Sequence, residues 1–333
     1  PFGVAIGPDG AVFVSTLGNR DNEPSRIYRF APGSTSDPEI LFQVGNAQDA
    51  AVYGLTFDGR GRLYACVSQH LDSADPGTVV PSLLAFEPPQ LSPHFNGEPL
   101  GPHDVKQNQL RAGAVNYGGF FVVDQVQAGG CGAIAYDGDA AVYVPDTSGA
   151  SNYVFRFNTE GIMHQPGGQI GDAVTDEDLE ALMMTAWFGD ALLGGGDRFG
   201  VTGVAADGQR VAFVREGEGS LLFGLGVEGL HPAPALELAG IYAGDPVTPF
   251  GLAAVGSGRF VLSSRDADQL LLLQPAGPDY EAVVLFDRDD ANEFVAPAGI
   301  AVRGEDMVVV ASHFNNLGVI QDELAKAFRV QKP

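Results

Sequence analysis

Short apolar runs, each closed by a Gly/Asp turn and followed by a second apolar run, recur along the whole chain. The phrase PFGVAIGPDGAVFVST (Pro1 to Thr16) is followed by YGLTFDGRGRLYACV (Tyr53 to Val67), CGAIAYDGDAAVYVPD (Cys131 to Asp146) and VTGVAADGQRVAFVRE (Val201 to Glu216). It returns as PFGLAAVGSGRFVLSS (Pro249 to Ser264) and PAGIAVRGEDMVVVAS (Pro297 to Ser312). Each unit begins with a small residue and a short apolar strand, and internal repetition at this scale is the mark of a repeat architecture. The anchors Gly3, Gly54, Ala133, Gly203, Gly251 and Gly299 lie 51, 79, 70, 48 and 48 residues apart. The basic period is therefore about 48 residues, and two units carry insertions.

Each unit has room for two further strands, visible as RIYRF with EILFQV, as YVFRF, and as QLLLLQ with EAVVLF. Four antiparallel strands per unit, separated by Gly, Asp, Asn and Pro turns, predict an all-β chain. The expected architecture is a single six-bladed β-propeller spanning residues 1–333, with four-stranded blades beginning near 1, 52, 131, 201, 249 and 297. The recurring small residue follows from strands converging on an axis, where a Cβ has no room. Hairpin dihedrals explain the GPDG and DGRG turns without any phosphate-binding role.

Insertions are expected over 88–130 and 160–195. The first is rich in Pro, Gly and Asn and reads as a long loop over one face. Within the second, TDEDLEALMMTAWF (Thr175 to Phe188) has helical apolar spacing behind an acidic, Thr-led start, predicting a short inserted helix. DELAKAFRV (Asp322 to Val330) fits either a helical turn or the last outer strand. With no segment ahead of Pro1 to complete the final blade, ring closure is expected from packing between the first and last units, or from residues outside this sequence.

Composition narrows the partners. The 333 residues are 45% hydrophobic, enough for a large core, and include 45 Gly and 22 Pro. A formal charge of −24 excludes nucleic acid and anionic lipid as natural partners, since both need a basic surface. No apolar run reaches the roughly 18–20 residues of a membrane helix, so membrane insertion is not expected and the chain reads as soluble. No signal sequence is visible, and a start at Pro1 is compatible with a removed export signal, which leaves secreted, periplasmic and cytoplasmic locations open. Two cysteines, Cys66 and Cys131, are too few for a disulfide scaffold and leave the compartment undecided.

The units YGLTFDGRGRLYACV, AIAYDGDAAVYVPDTSGASNYVFRFNTEG and PAGIAVRGEDMVVVAS resemble blades of the senescence marker protein/gluconolactonase family and the wider NHL-type six-bladed propellers. The resemblance covers most of the chain through scaffold motifs. It implies a small-molecule enzyme, either a lactonase-like or esterase-like hydrolase or a lyase, acting at the mouth of the central channel. Gluconolactonases and the related diisopropylfluorophosphatases hold a divalent cation with one Glu, two Asn and one Asp, several of them just before the anchor glycines. Here those positions are Phe2, Tyr53, Gly132, Thr202, Phe250 and Ala298, none a carboxylate or carboxamide. The family's calcium site is therefore not supported, and the strictosidine synthase-like propellers, with a more apolar channel, become the closer comparison.

Reading off the end of each second strand gives Asn19 and Arg20, His70, Asp146, Arg215 with Glu216, Arg265 with Asp266, and His313 with Asn315. One reading takes His70, His313 and Asp146 as a catalytic acid/base set or as ligands of a divalent metal, with Glu216 or Asp266 as further candidates. NHL-type peptide-amidating lyases are similar in using His from different blades. Another takes Arg215 and Arg265 as the anchor for a ligand carboxylate, with Phe2, Tyr53, Thr202, Phe250 and Asn315 lining the substrate site. In the plain alternative, Arg215 with Glu216 and Arg265 with Asp266 neutralise each other on the rim.

Cys131 reads either as a nucleophile beside His70 or, more simply, as a buried thiol. No GxSxG elbow exists. His94, His103 and His164 fall in the insertions, and His103 joins the site only if its loop folds over the channel. Two functions stay open: a small-molecule hydrolase or lyase, and a non-catalytic propeller that binds a small ligand or protein partner on the same face.

Overall fold

A computed structural model of the chain describes residues 2–16, 24–34, 37–44, 51–67, 82–92, 98–101, 104–109, 116–117, 120–121, 133–145, 154–159, 185–186, 201–208, 210–215, 220–225, 229–237, 249–264, 268–277, 279–286, 297–303, 306–311 and 327–331. Over these residues the structure is almost wholly β, with one short 3-10 helix (Pro88–Leu91) and no α-helix.

The strands assemble in sequence order. The first sheet holds β1 (Val4–Ile6), β2 (Val12–Thr16), β3 (Arg26–Phe30) and β4 (Glu39–Gln43), and the second β5 (Val52–Phe57), β6 (Leu63–Val67), β7 (Ser82–Phe86) and β8 (Lys106–Gln109). A two-stranded pair, β9 (Asn116–Tyr117) with β10 (Phe120–Phe121), comes next. The third sheet holds β11 (Ala135–Tyr136), β12 (Ala141–Pro145), β13 (Val154–Asn158) and β14 (Thr185–Ala186). The fourth holds β15 (Val201–Asp207), β16 (Arg210–Arg215), β17 (Ser220–Leu225) and β18 (Gly229–Glu237). The fifth holds β19 (Pro249–Gly256), β20 (Arg259–Ser264), β21 (Gln269–Ala276) and β22 (Asp279–Phe286). The sixth has three described strands, β23 (Pro297–Arg303), β24 (Asp306–Ala311) and β25 (Ala327–Gln331). Every pairing within these sheets is antiparallel.

Successive strands are joined by tight turns because the residues at them tolerate the left-handed region. Gly10, Gly61 and Gly138 turn the first hairpins of three sheets at φ 89°, 79° and 85°. The aspartates of the same turns are caps. Asp137 Oδ1 accepts from the backbone N–H groups of Asp139, Ala140 and Ala141, and Asp58 Oδ1 from those of Arg60 and Arg62.

Each sheet packs on the next through alternate residues of the same strand. In β6, Leu63, Ala65 and Val67 join a core with Ala5, Phe13 and Ile27 of the first sheet, and all five residues of the strand are buried. Two edge-to-face pairs cross this seam, Phe13 with Phe57 at 5.2 Å and Phe42 with Phe86 at 5.3 Å. Ala135 and Tyr143 meet Val204 and Val211; Ala205 and Val214 meet Leu252 and Leu262; Val261 meets Ile300. Val4, Val12 and Val14 pack with Ala301, so the sixth sheet returns to the first. Burial on both faces is why the strands read as continuous apolar runs rather than as alternation.

The first strands touch in a closed cycle: β1 with β5, β5 with β11, β11 with β15, β15 with β19, β19 with β23, and β23 with β1. No hydrogen-bonded ladder runs round this cycle among the described residues, and closure is by packing. The small anchors make it possible. A Cβ on Gly3 would overlap Tyr53 O, one on Gly54 would overlap Ala133, one on Gly251 would overlap Ala298 O, and one on Gly299 would overlap Phe2 O.

The inserted helix expected over 175–188 is corrected at its C-terminal end. Thr185 and Ala186 form β14, paired with Arg156 and Phe155, and the rest of that stretch lies outside the described residues. A neighbouring strand edge supplies hydrogen bonds that a short helix must find within itself, and β-branched Thr suits the pleat. Lys106–Gln109, inside the segment read as a long loop, is β8 and pairs with β7. The polar KQNQ has no apolar signature, and an outermost strand needs none. Ala327–Gln331, within the stretch left open between helix and strand, pairs with β24.

Candidate functional site

One cavity is lined by Val4, Leu55, Val204, Leu252 and Ile300 of the first strands and by Ile134 just ahead of β11, together with Phe2 and the backbone of Gly3, Gly54, Ala133, Gly251 and Gly299. Six strands that turn their anchors inward leave a pore between them, and the next residue of each fills its wall. Such a wall presents aliphatic side chains and backbone groups, and offers no charged side chain to a bare ion.

At the end of the pore where the first strands begin, Phe2 stands edge-on to Tyr53, with ring centroids 4.7 Å apart and planes at 85°. Ala298, fully buried, packs with them. The antiparallel register returns the second strands to this end, since Val52 pairs with Val67, Val201 with Arg215, Pro249 with Ser264 and Pro297 with Ala311. Chain leaving each second strand therefore departs beside the mouth.

Two serines fasten the mouth. Ser15 Oγ accepts from the Gly3 N–H at 2.8 Å and donates to Tyr53 O of the second sheet. Ser263 Oγ accepts from the Gly251 N–H at 2.8 Å and donates at 2.7 Å to Ala298 O of the sixth sheet. Each hydroxyl thus joins the anchor of its own sheet to the residue before the anchor of the next. Both serines are fully buried. They are absent from the candidate residues drawn from the sequence, although the twelve-residue step from Gly3 to Ser15 and from Gly251 to Ser263 was there to be read.

Of the sequence candidates, Phe2 and Tyr53 come together at the mouth. Thr202 lies in β15, Phe250 in β19, and Arg215 ends β16 opposite Val201. Their side chains are outside the description. Asn19, Arg20, His70, Asp146, Glu216, Arg265, Asp266, His313 and Asn315 lie outside the described residues, as do Gly132, Cys131, His94, His103 and His164. In sequence His70 follows the end of β6, Asp146 that of β12, Arg265 that of β20, and His313 with Asn315 that of β24.

Cys66 is disulfide-bonded, and among the described residues no cysteine is free. Cys131, the other cysteine of the chain, lies outside the described residues.

The opposite end of the sheets carries the charged groups of the hairpin turns. Arg62 donates from Nε to Asp58 Oδ2 at 2.7 Å and from a terminal nitrogen to Thr159 O at 2.6 Å, tying the second sheet to the third. Tyr64 OH lies 3.4 Å from the same carboxylate. Burial raises the Tyr64 phenol well above its ordinary value, against the Arg62 charge, which lowers it. Burial also lowers the Arg62 guanidinium, but the hydrogen bond and charge of Asp58 outweigh this and its net shift is upward. Asp207 Oδ2 accepts from the Gly258 N–H at 2.5 Å, and Tyr280 OH donates to Gly258 O at 2.9 Å, tying the fourth sheet to the fifth. These groups are satisfied by the scaffold itself.

The described residues do not fit the calcium cage of the gluconolactonase family. Phe2, Tyr53 and Ala298 supply no carboxylate, and the pore below them is aliphatic. Among the described residues no three His, Cys, Asp or Glu gather at one place.

No family model matches the chain, and no curated protein matches it. Solved structures do. The PQQ-bound aldose sugar dehydrogenase of Streptomyces coelicolor is similar at 15% identity and TM-score 0.59, over 99% of this chain and 93% of that one. A gluconolactonase of Xanthomonas campestris is similar at 10% identity and TM-score 0.52, over 93% and 82%. Virginiamycin B lyase of Staphylococcus aureus is similar at 11% identity and TM-score 0.50, over 93% and 90%. With the ordered sheets and the packed cycle of first strands, the likeness defines the class: this chain is a β-propeller. Its neighbours in that class include a dehydrogenase, a lactonase and a lyase, so the fold by itself selects none of the three activities. No described helix is long and apolar enough to cross a membrane.

Proposed function

We propose that the chain is a six-bladed propeller of four-stranded blades that acts as a small-molecule hydrolase or lyase of the gluconolactonase-like superfamily, with its site at the mouth of the central pore. The observation that carries this is the convergence of six first strands on one aliphatic pore capped by Phe2 and Tyr53, with the second strands ending at the same mouth. The substrate's apolar body rests on Phe2, Tyr53 and Phe250, beside Thr202 and Asn315. Arg215 and Arg265 hold a carboxylate or comparable anion. His70 and His313, with Asp146 to orient one imidazole, move protons to and from the scissile group, or hold a divalent transition metal at that point.

A second reading, a non-catalytic propeller that binds a ligand or protein partner on this face, is favoured by one feature: no described residue of the pore or mouth is a carboxylate or imidazole. The two separate in one experiment. Metal content is measured on purified protein, and turnover is assayed across lactones and esters before and after a chelator. His70→Ala and His313→Ala are expected to abolish turnover with the melting temperature unchanged. A folded protein with no turnover and no metal overturns the enzyme reading in favour of the binding one.

A further inference from the structure

We propose that the disulfide of Cys66, made with Cys131, is the covalent counterpart of the serine stitches. It fastens the second sheet to the third at the rim of the pore, and the working protein occupies an environment in which that bond persists.

The register carries the argument. Val4 pairs with Val14, which places Ser15 opposite the anchor Gly3, and Leu252 pairs with Leu262, which places Ser263 opposite Gly251. Leu55 pairs with Ala65, which places Cys66 opposite Gly54. Cys66 therefore occupies in the second sheet the position that a stitching serine occupies in the first and fifth, at the same twelve-residue step from its anchor.

The facing is also right. Leu63, Ala65 and Val67 turn to the first sheet, so the alternate residues Tyr64 and Cys66 turn the other way, and Cys66 is fully buried there. The sheet on that side is the third, against whose Ala133 and Ile134 Gly54 is packed. In sequence Cys131 stands just ahead of these two residues. Ser15 and Ser263 reach the residue before the next anchor, and the proposed bond takes Cys66 to the residue two before it.

The bond closes a loop of about 65 residues, which carries the whole of the 88–130 insertion. A hydrogen bond survives in any redox state, whereas a disulfide is kept only where thiols are not continuously reduced. Reduction by a dithiol transfers two electrons and two protons: the S–S bond breaks, both cysteines become thiols, and the reductant closes to its own cyclic disulfide.

The test uses full-length protein refolded in a glutathione redox buffer. Non-reducing peptide mapping is expected to return one cross-linked peptide pair containing Cys66 and Cys131, lost on treatment with dithiothreitol. Two alkylatable thiols in the unreduced, unfolded protein overturn the proposal. Reduction is expected to lower the melting temperature by about 5–7 °C, the loop-closure effect spread over a chain of this size.

The stitch is tested separately in a Cys131→Ala background, by comparing Cys66→Ser with Cys66→Ala. A serine here can donate to the third sheet as Ser15 and Ser263 donate to theirs, so Cys66→Ser is expected to melt about 1–2 °C above Cys66→Ala. At an ordinary buried position the hydroxyl would lack a partner and the order would reverse. Reversal overturns the equivalence with the serines, whatever activity the mouth supports.

Discussion

Ser263 and Ser264 are adjacent in β20, both fully buried, yet the structure gives them opposite values. Ser263 Oγ bridges the Gly251 N–H and Ala298 O, whereas Ser264 Oγ is buried with no hydrogen-bond partner among the described residues. Ser263→Ala leaves a donor and an acceptor inside the fold with neither protein nor water to satisfy them. At about 1–1.5 kcal/mol for each group, the loss is about 2–3 kcal/mol. For a chain of 333 residues an unfolding entropy near 2 cal/mol/K per residue turns this into a fall of about 3–5 °C in melting temperature. Ser264→Ala removes a hydroxyl already deprived of water and is expected to be neutral or to stabilise by up to about 1 kcal/mol. Thermal and urea unfolding followed by far-UV circular dichroism compare the two variants on one scale. Equal destabilisation by both, or a larger loss at Ser264, would refute the claim that the hydroxyls act as ties between sheets rather than as small buried side chains.

Other expectations rest on different parts of the structure. Gly251→Ala drives a Cβ into Ala298 O and is expected to cost at least about 3 kcal/mol, seen as lost soluble yield or a much lower melting temperature. Arg62→Ala removes bonds of 2.7 and 2.6 Å and leaves the buried Asp58 with its backbone donors and the Tyr64 hydroxyl at 3.4 Å, an expected loss of about 2–3 kcal/mol in urea unfolding. Tyr64 stays protonated in the folded chain beyond its ordinary value of 10.0, while the unfolded phenol ionises there. The native state then holds the extra proton, so stability is intact below about pH 10 and falls as pH rises above it. Tyr64→Phe should flatten that alkaline fall in denaturation measured against pH. At the mouth, Phe2→Ala breaks the edge-to-face pair with Tyr53 and is expected to weaken binding of apolar ligands more than it slows any chemical step, read as a rise in KM or Kd at near-constant kcat.

Much of the scaffold was legible because it repeats. The six anchors and the hairpin after each can be found by spacing, and the inward Gly and left-handed turn Gly follow from backbone sterics alone. Outer strands were harder. KQNQ at β8 and Thr185–Ala186 at β14 carry no apolar period, because a strand at the rim of a sheet is held by its neighbour's backbone and owes little to its side chains. The helical spacing around Trp187 was a true pattern in the letters that strand pairing overrode at Thr185 and Ala186. Phe2 and Tyr53 were picked out from their place beside the anchors, and the structure brings their rings together. The stitching serines were missed because hydroxyls in a strand look like ordinary β-formers until their partners are seen.

By itself the sequence determined the period, the hairpins, the small anchors, the acidic net charge and the lack of an apolar run long enough for a membrane helix, since each depends on local sterics, hydropathy or summed charge. Only the tertiary structure decided which sheet lies against which, that Gly299 packs on Phe2, and that Ser15 and Ser263 share one role. Those facts depend on register across strands and on contacts between sheets far apart in the chain. A difference of one position turns a side chain to the other seam, and no local pattern records which seam it faces.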